Sequence, residues 1–296
     1  MKDLSQIKEI PNRFEGSEFK KTIIYENEVY MMKFPDPIRE IKNDLSYKNN
    51  QFSEDIGCKI FDSCGFSVQE TFLAECLING KKKIVVLCKD FTQNGDRLIE
   101  FSKIANSYVE SDEKYRLTIE KVFEIIENNH IIKDKNITKA FFWEMFVIDA
   151  LIGNEDRHFN NWGFLENNHN LKISPIYDCG SCFGAIYSDD YIKSVINDDE
   201  MFKNKFFNLK SVYSYKGKRI FYHEIFKNPP VELKKAIEKI YPKINLDKIN
   251  KIVVNTDKIS LVRKEFILKS VNLRYEQIIK SAYKKIIRQK TQDNER

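Results

Sequence analysis

Hydrophobic and polar positions alternate in short runs over the first third of the chain and recur at helical spacing over the rest. "KKTIIYENEVYMMKF", Lys20 to Phe34, reads as two β-rich runs separated by Glu26-Asn27-Glu28, a hairpin that Pro35 and Pro37 close. "SEDIGCKIFDSCG", Ser53 to Gly65, sets Ile56, Ile60 and Phe61 at helical spacing, with Ser53 able to cap the start and Gly65 to end it. "FSVQETFLAECLI" and "KKIVVLCKDF" form a second strand pair around Asn79-Gly80. The predicted order is hairpin, helix, hairpin.

After Phe91 the texture changes. "TQNGD" is loop-like, and helices follow over Tyr115 to Asn128 and Thr138 to Ile152. The second is apolar over most of its circumference, through Phe141, Phe142, Met145, Phe146, Ile148, Leu151 and Ile152, which marks a core helix. From Val231 onward amphipathic helices are predicted, with Tyr275, Ile278, Ile279 and Tyr283 on one stripe. The pattern predicts an α+β protein of two unlike lobes. A small β-rich N-lobe spans 1–87, a hinge 88–96, and a larger helical C-lobe 97–296. A ligand is expected in the cleft between them.

Composition narrows the class. With 296 residues and 42% hydrophobic content, the chain can build one large core or two lobes. No apolar run approaches the length of a membrane span, and "MKDLSQIKEIPNRF" has no secretory h-region. A cytoplasmic location is expected, with signal-less export compatible. A net charge of +5 with 31% charged residues says little about partners. The basic "YKKIIRQKTQDNER" reads as a solvated helix end, and no direct nucleic-acid binding is expected. Six dispersed cysteines argue against a disulfide framework, and the Cys179-Gly-Ser-Cys182 spacing reads as small buried thiols beside a glycine turn.

Candidate chemistry lies in two stretches. In "LIGNEDRHFNNWGFL" a buried helix gives way to a loop carrying Asp156 and, five residues on, Asn161. In "ISPIYDCGSCF" a short strand leads to Asp178-Cys179-Gly180. Phosphoryl transfer uses such an order: one Asp positions the attacking hydroxyl, while the Asn and a second Asp hold magnesium on the phosphates. A cation from the small lobe is then required, and Lys33 ends the strand "EVYMMK". Glu54, or its neighbour Asp55, is the candidate acid to hold it. "RFEGSEFKK" offers a poor phosphate loop in Gly16 and Ser17. Each piece alone is ordinary: Asp caps turns, lysines coat strands, and acids favour a helix start. Their joint order carries the argument. His158 reads as a loop-bracing residue, although Asp156, His158, His169 and Asp178 could instead form a metal site for hydrolysis. Asp149, an acid on an apolar helix, either bonds the loop from beneath or faces water. Trp162 is expected to pack.

"GNEDRHFNNWGF" followed by "PIYDCGSCF" resembles the HipA-like serine/threonine kinases, and "YMMKFPD" with "KIVVLCKDF" resembles their short, CtkA-like branch. The resemblance implies a two-lobed protein-kinase-like fold with ATP and Mg2+ as cofactors. It implies Asp156 as catalytic base, Asn161 and Asp178 as metal ligands, and Lys33 on the α/β-phosphates with Glu54 behind it. It implies backbone groups of Lys89 and Phe91 on the adenine, His158 beside the nucleotide, and Gly16, Ser17, Lys20 and Lys21 over the phosphates. Ser17 is the implied autophosphorylation site, where about −1.5 to −2 charge would repel the nucleotide. Longer members of the family carry an additional N-terminal subdomain, whereas here only a short stretch precedes Gly16. A stand-alone kinase fits, as does a toxin or effector kinase completed by a small antitoxin or complementing subunit. The protein substrate is left open. The rival readings are a non-catalytic nucleotide-binding pseudokinase module and a metal-dependent hydrolase or nuclease.

Overall fold

The structure is a computed structural model. It describes residues 1–11, 13, 19–38, 48–78, 80–92, 95–108, 117–168 and 170–294. The first lobe is one sheet and one helix: β1 (Lys2–Asp3), β2 (Glu9–Ile10), β3 (Lys20–Tyr25), β4 (Glu28–Lys33), α1 (Asn50–Ser63), β5 (Thr71–Ile78) and β6 (Lys81–Lys89). The strands lie in the order β1-β5-β6-β4-β3-β2. The predicted hairpin is β3–β4. Its turn residues Glu26 and Asn27 take φ of 50° and 65°, the left-handed pair that matches the twist of two-residue hairpins.

Register assigns the faces. Lys20 pairs with Lys33, Met31 with Cys88, and Thr71 with Cys88, so these residues share the face toward α1. Ile23, Tyr30, Met32, Val85 and Leu87 point the other way and, with Leu4, form a small second core. The predicted start of α1 is corrected. The helix begins at Asn50, not after Ser53, and Ser53 is no cap: its Oγ donates to the Cys182 carbonyl at 2.8 Å. Glu54 therefore sits in the second turn, where it faces the interlobe cleft.

The second lobe runs β7 (Arg97–Glu100), α2 (Phe101–Tyr108), α3 (Ile119–Asn128), α4 (Lys135–Ile152), β8 (Gly163–Asn167) and β9 (Asn170–Ile173). It continues through α5 (Asp189–Ile196), α6 (Asp199–Phe206), β10 (Lys210–Tyr215), β11 (Lys218–Phe221), α7 (Tyr222–Lys227) and α8 (Val231–Ile240). The chain closes with α9 (Leu246–Val254), α10 (Leu261–Arg274), a π-helical turn over Tyr275–Lys280, and α11 (Ser281–Asn294). Helix α3 starts at Ile119 because Thr118 accepts from the Lys121 N–H at 3.0 Å. The β7-β8-β9 sheet and the β10–β11 hairpin were not visible in the patterning.

Helix α4 is the centre of the larger core, where Phe142, Trp143 and Phe146 are all at most 2% exposed. Trp162 packs as expected, stacked on Phe101 at 4.2 Å with its Nε1 donating to the Tyr213 hydroxyl. Helix α1 contributes Ile56, Ile60 and Phe61 to this same core rather than to the small one. It lies between β5 and β6 on one side and α9 on the other. The lobes are also joined where Val68 bridges Ile176, with paired backbone bonds of 2.8 Å. All six cysteines are buried and free. Among the described residues no helix is long and apolar enough to cross a membrane.

Candidate active site

Helix α4 ends at Gly153, whose φ of +69° turns the chain out of the helix. The loop that follows is built from beneath. Asp149, 1% exposed, accepts from Asn154 Nδ2 at 2.9 Å and from Arg157 Nε and Nη2 at 3.1 Å each. Asn154 Oδ1 in turn accepts from the Asp156 N–H at 3.0 Å. Burial pushes the Asp149 carboxyl up, and the Arg157 guanidinium opposes that rise.

Arg157 is 2% exposed and its Nη1 reaches three carbonyls: Asn161 at 2.9 Å, Asp178 at 3.2 Å, and Tyr177. Its Nη2 also donates to Cys179 Sγ at 3.4 Å. One fork-shaped donor set thus ties the loop carrying Asp156 and Asn161 to the loop carrying Asp178. Sequence reasoning flagged Asp149 but gave Arg157 no role. A buried loop arginine leaves no periodic trace, and the only available signal was an unexplained acid eight residues earlier.

The small lobe supplies the counterpart. Lys33, 6% exposed, donates to Glu54 Oε2 at 3.1 Å, and its Nζ lies 3.6 Å from Asp178 Oδ1. Glu54 is the acid that holds Lys33. Asp55 is not: it accepts from Thr71 Oγ1 at 2.9 Å and Lys59 Nζ at 2.7 Å. Glu54 Oε1 accepts from the Cys179 N–H at 3.0 Å, so one carboxylate bridges strand β4 and the Asp178 loop. Burial raises Glu54 to about 7 against the opposing pull of Lys33. Asp178 goes the other way: burial would raise it, but Lys33, Arg157 and His158 together hold its carboxyl below the usual range. Its backbone is left-handed, φ 57°, an uncommon conformation for a non-glycine residue that concentrates at functional sites.

Asp156 is exposed at the mouth of the cleft, and its Oδ2 accepts from Ser181 Oγ at 3.4 Å. Asn161 is buried, with Nδ2 donating to the Asp156 carbonyl at 2.7 Å, which leaves Oδ1 as its side-chain acceptor. An amide oxygen and a depressed carboxylate are hard donors of the kind magnesium takes. His158 braces the loop, its Nδ1 accepting from the Asn160 N–H at 3.2 Å. Lys20 shares the cleft face with Lys33. Lys21 does not: one residue along the strand it projects from the opposite face, where Glu9 holds it. The Lys89 N–H is used, donating to the Glu70 carbonyl at 2.9 Å, while its carbonyl accepts from Gln69 Nε2 at 3.0 Å and keeps a second lone pair. Its side chain turns to Glu28. Phe91 lies against Tyr177, ring centroids 5.8 Å apart, and its backbone groups have no partner among the described residues. Gly16, Ser17 and His169 lie outside the described residues.

A family model described as the HipA-like C-terminal domain matches residues 16–240. The chain belongs to this family. It is 36% identical over 281 residues to the serine/threonine-protein kinase CtkA of Helicobacter pylori, covering 93% of this chain and 85% of that protein. The crystal structure of the Helicobacter pylori proinflammatory kinase CtkA superposes with a TM-score of 0.89 at 34% identity, over 97% of this chain and 98% of the other. The match confirms the mixed architecture of a β-sheet region followed by a helical region. HipA from the Shewanella oneidensis HipA, HipB and operator DNA complex shares the fold at a TM-score of 0.56 and 12% identity, over 94% of this chain and 69% of that one.

Proposed function

We propose that the chain is an ATP- and magnesium-dependent serine/threonine protein kinase. The observation that carries the reading is the convergence of Lys33, Glu54 and Asp178 at one end of a cleft whose other edge presents Asp156. Lys33 would meet the α- and β-phosphates, held in place by the Glu54 carboxylate. Asn161 Oδ1 and Asp178 would hold the magnesium ion, which when bound neutralises charge on the phosphate oxygens. Asp156 would accept the proton of the attacking Ser or Thr hydroxyl. What this chain supplies is positioning and fixed charge, the two main terms in phosphoryl transfer. The serine/threonine kinase named among its relatives supports the same reading.

The rival hydrolase is less favoured. Among the described residues no three His, Cys, Asp or Glu side chains converge as a metal site needs, and His158 Nδ1 accepts from the Asn160 N–H; His169 lies outside those residues. A pseudokinase would retain nucleotide binding without transfer. The deciding experiment is phosphate transfer from γ-labelled ATP with magnesium, wild type beside Asp156→Ala. Wild-type transfer should fall by roughly 10²–10⁴-fold in the variant, with unfolding unchanged because Asp156 is exposed. Near-normal transfer by Asp156→Ala would overturn its role. ATP binding without transfer by the wild type would favour the pseudokinase. Ser17 remains the proposed site of self-modification, and phosphopeptide mapping after prolonged incubation with ATP tests it. A small antitoxin or complementing subunit would be recovered by affinity capture from the native host.

A further inference from the structure

A cavity of about 240 Å³ opens beside Asp156. Among the described residues that line it, none of Lys33, Asn161 or Asp178 is present. Its mouth carries Asp156 and Ser181, its walls include Tyr187, Phe206 and Phe266, and Arg274 lies at its inner end beneath Gly153. The cavity is constructed rather than accidental. A Cβ on Gly184 would meet the Tyr187 ring at 2.7 Å, so the wall closes only over a glycine, here at φ +58°.

Arg274 is the unexplained group. It is 2% exposed, with Nε donating to the Leu151 carbonyl at 2.8 Å and Nη1 to the Phe206 carbonyl at 3.1 Å. Among the described residues Nη2 is buried without a partner, and no carboxylate hydrogen-bonds the guanidinium. Burial lowers it to about 10, with the nearby charge of Glu155 opposing that shift. A buried donor left unpaired is costly, so such groups are normally paired. The acids nearby make their hydrogen bonds elsewhere: Asp36 pairs with Lys48 at 3.5 Å, while Glu155 Oε1 accepts from the Lys210 N–H at 3.2 Å and Asp156 from Ser181, and these two keep their charge. The helix also changes from α to π immediately after Arg274, an irregularity that recurs at functional sites.

We infer that this cavity is a specificity pocket for the acceptor protein, taking an acidic side chain close in sequence to the phosphorylated Ser or Thr, with Arg274 Nη2 as its recognition group. The aromatic walls hold the methylene stem, and the guanidinium meets the carboxylate. The inference rests on the kinase reading above, and its test is arranged so that the two can fail separately.

The probes are Ser-centred peptide libraries in which one flanking position at a time is fixed as Glu, Gln or Leu. The wild type should favour Glu over Leu at one position by roughly ten- to a hundredfold in kcat/KM, the worth of a hydrogen bond to a charged group. Arg274→Gln should bring that ratio to about one. Because Arg274 also braces two carbonyls, Leu209→Trp serves as the second variant: it fills the cavity and keeps the arginine. It should erase the same preference, chiefly through KM. If no peptide is phosphorylated, the kinase reading fails, and the ratio is read instead from Kd by anisotropy of the labelled peptides. Lack of acidic preference at every position, or a preference that survives both variants, overturns the pocket assignment even where transfer is robust. Equal favour for Gln and Glu would overturn the carboxylate assignment.

Discussion

Replacing Arg157 by Leu should be among the costliest single changes in this protein. The substitution leaves Asp149 buried with Asn154 Nδ2 as its one remaining side-chain donor among the described residues, and breaking a buried ion pair in this way costs about 3–5 kcal/mol. It also removes the donor shared by the carbonyls of Asn161, Tyr177 and Asp178, worth about 1 kcal/mol or more for each that stays dry. The sum, about 4–8 kcal/mol, is a large part of the about 5–15 kcal/mol that holds a typical domain together. Asp149 already has a raised pKa, and without Arg157 it rises further, so the loss should shrink as pH falls and the carboxyl becomes neutral. Urea unfolding followed by circular dichroism at pH 5 and pH 8 measures both effects. The double variant Asp149→Leu with Arg157→Leu removes both charges and should recover several kcal/mol, a coupling that closes the double-mutant cycle. A cost below about 1 kcal/mol for Arg157→Leu, or simple additivity in the double variant, would refute the account of Arg157 as the tie between the two loops.

Two further perturbations probe the Glu54 bridge. In the nucleotide-free protein Glu54 is raised from 4.5 to about 7. The folded state therefore holds a proton that the unfolded state releases, and stability falls as pH rises across that window, by about 3 kcal/mol in all. Glu54→Gln cannot ionise, so the difference in stability between wild type and variant should change with pH in thermal scans from pH 4 to pH 8. A constant difference would show that Glu54 titrates normally. Gly57→Ala would set a methyl 2.6 Å from Cys179 Cβ. Overpacking of about 1–3 kcal/mol should outweigh the gain of up to about 1 kcal/mol in helix propensity and raise KM for ATP. A more stable variant with unchanged KM would show that the approach of α1 to the Cys179 loop is not a constraint.

The sequence carried the parts of the site that are local and the order in which they occur. The Glu26-Asn27 turn, the apolar breadth of α4 and the spacing from Asp156 to Asn161 all follow from rules that act within a few residues. Facing and closure were less legible. Lys20 and Lys21 look alike in a string, and only strand register sends one to the cleft and the other to Glu9. That the Lys89 N–H is taken by the Glu70 carbonyl, just before β5, is likewise a matter of strand register rather than of local sequence. The start of α1 was misplaced because Ser53 matches a cap, whereas its hydroxyl is spent on Cys182, 129 residues away. Arg157 and Arg274 act through carbonyls distant in sequence, and no pattern of side chains encodes such partners.

Helix α1 is pinned to the large lobe at three successive points: Ser53 to the Cys182 carbonyl, Glu54 to the Cys179 N–H, and Gly57 against Cys179. Its apolar face belongs to the large core, against which Leu73 and Ile84 of the sheet also pack, and pairs such as Asp55–Thr71 and Lys33–Glu54 add polar links to the sheet. The three anchors to the large lobe sit at the edge of a packed core, which resists shear. In mechanical terms α1 is the fixed jaw and the sheet the moving one. Opening of the cleft should carry Lys33 away from a stationary Glu54. Distance labels on β4 and α1 should therefore report cleft motion, while labels on α1 and α4 stay constant.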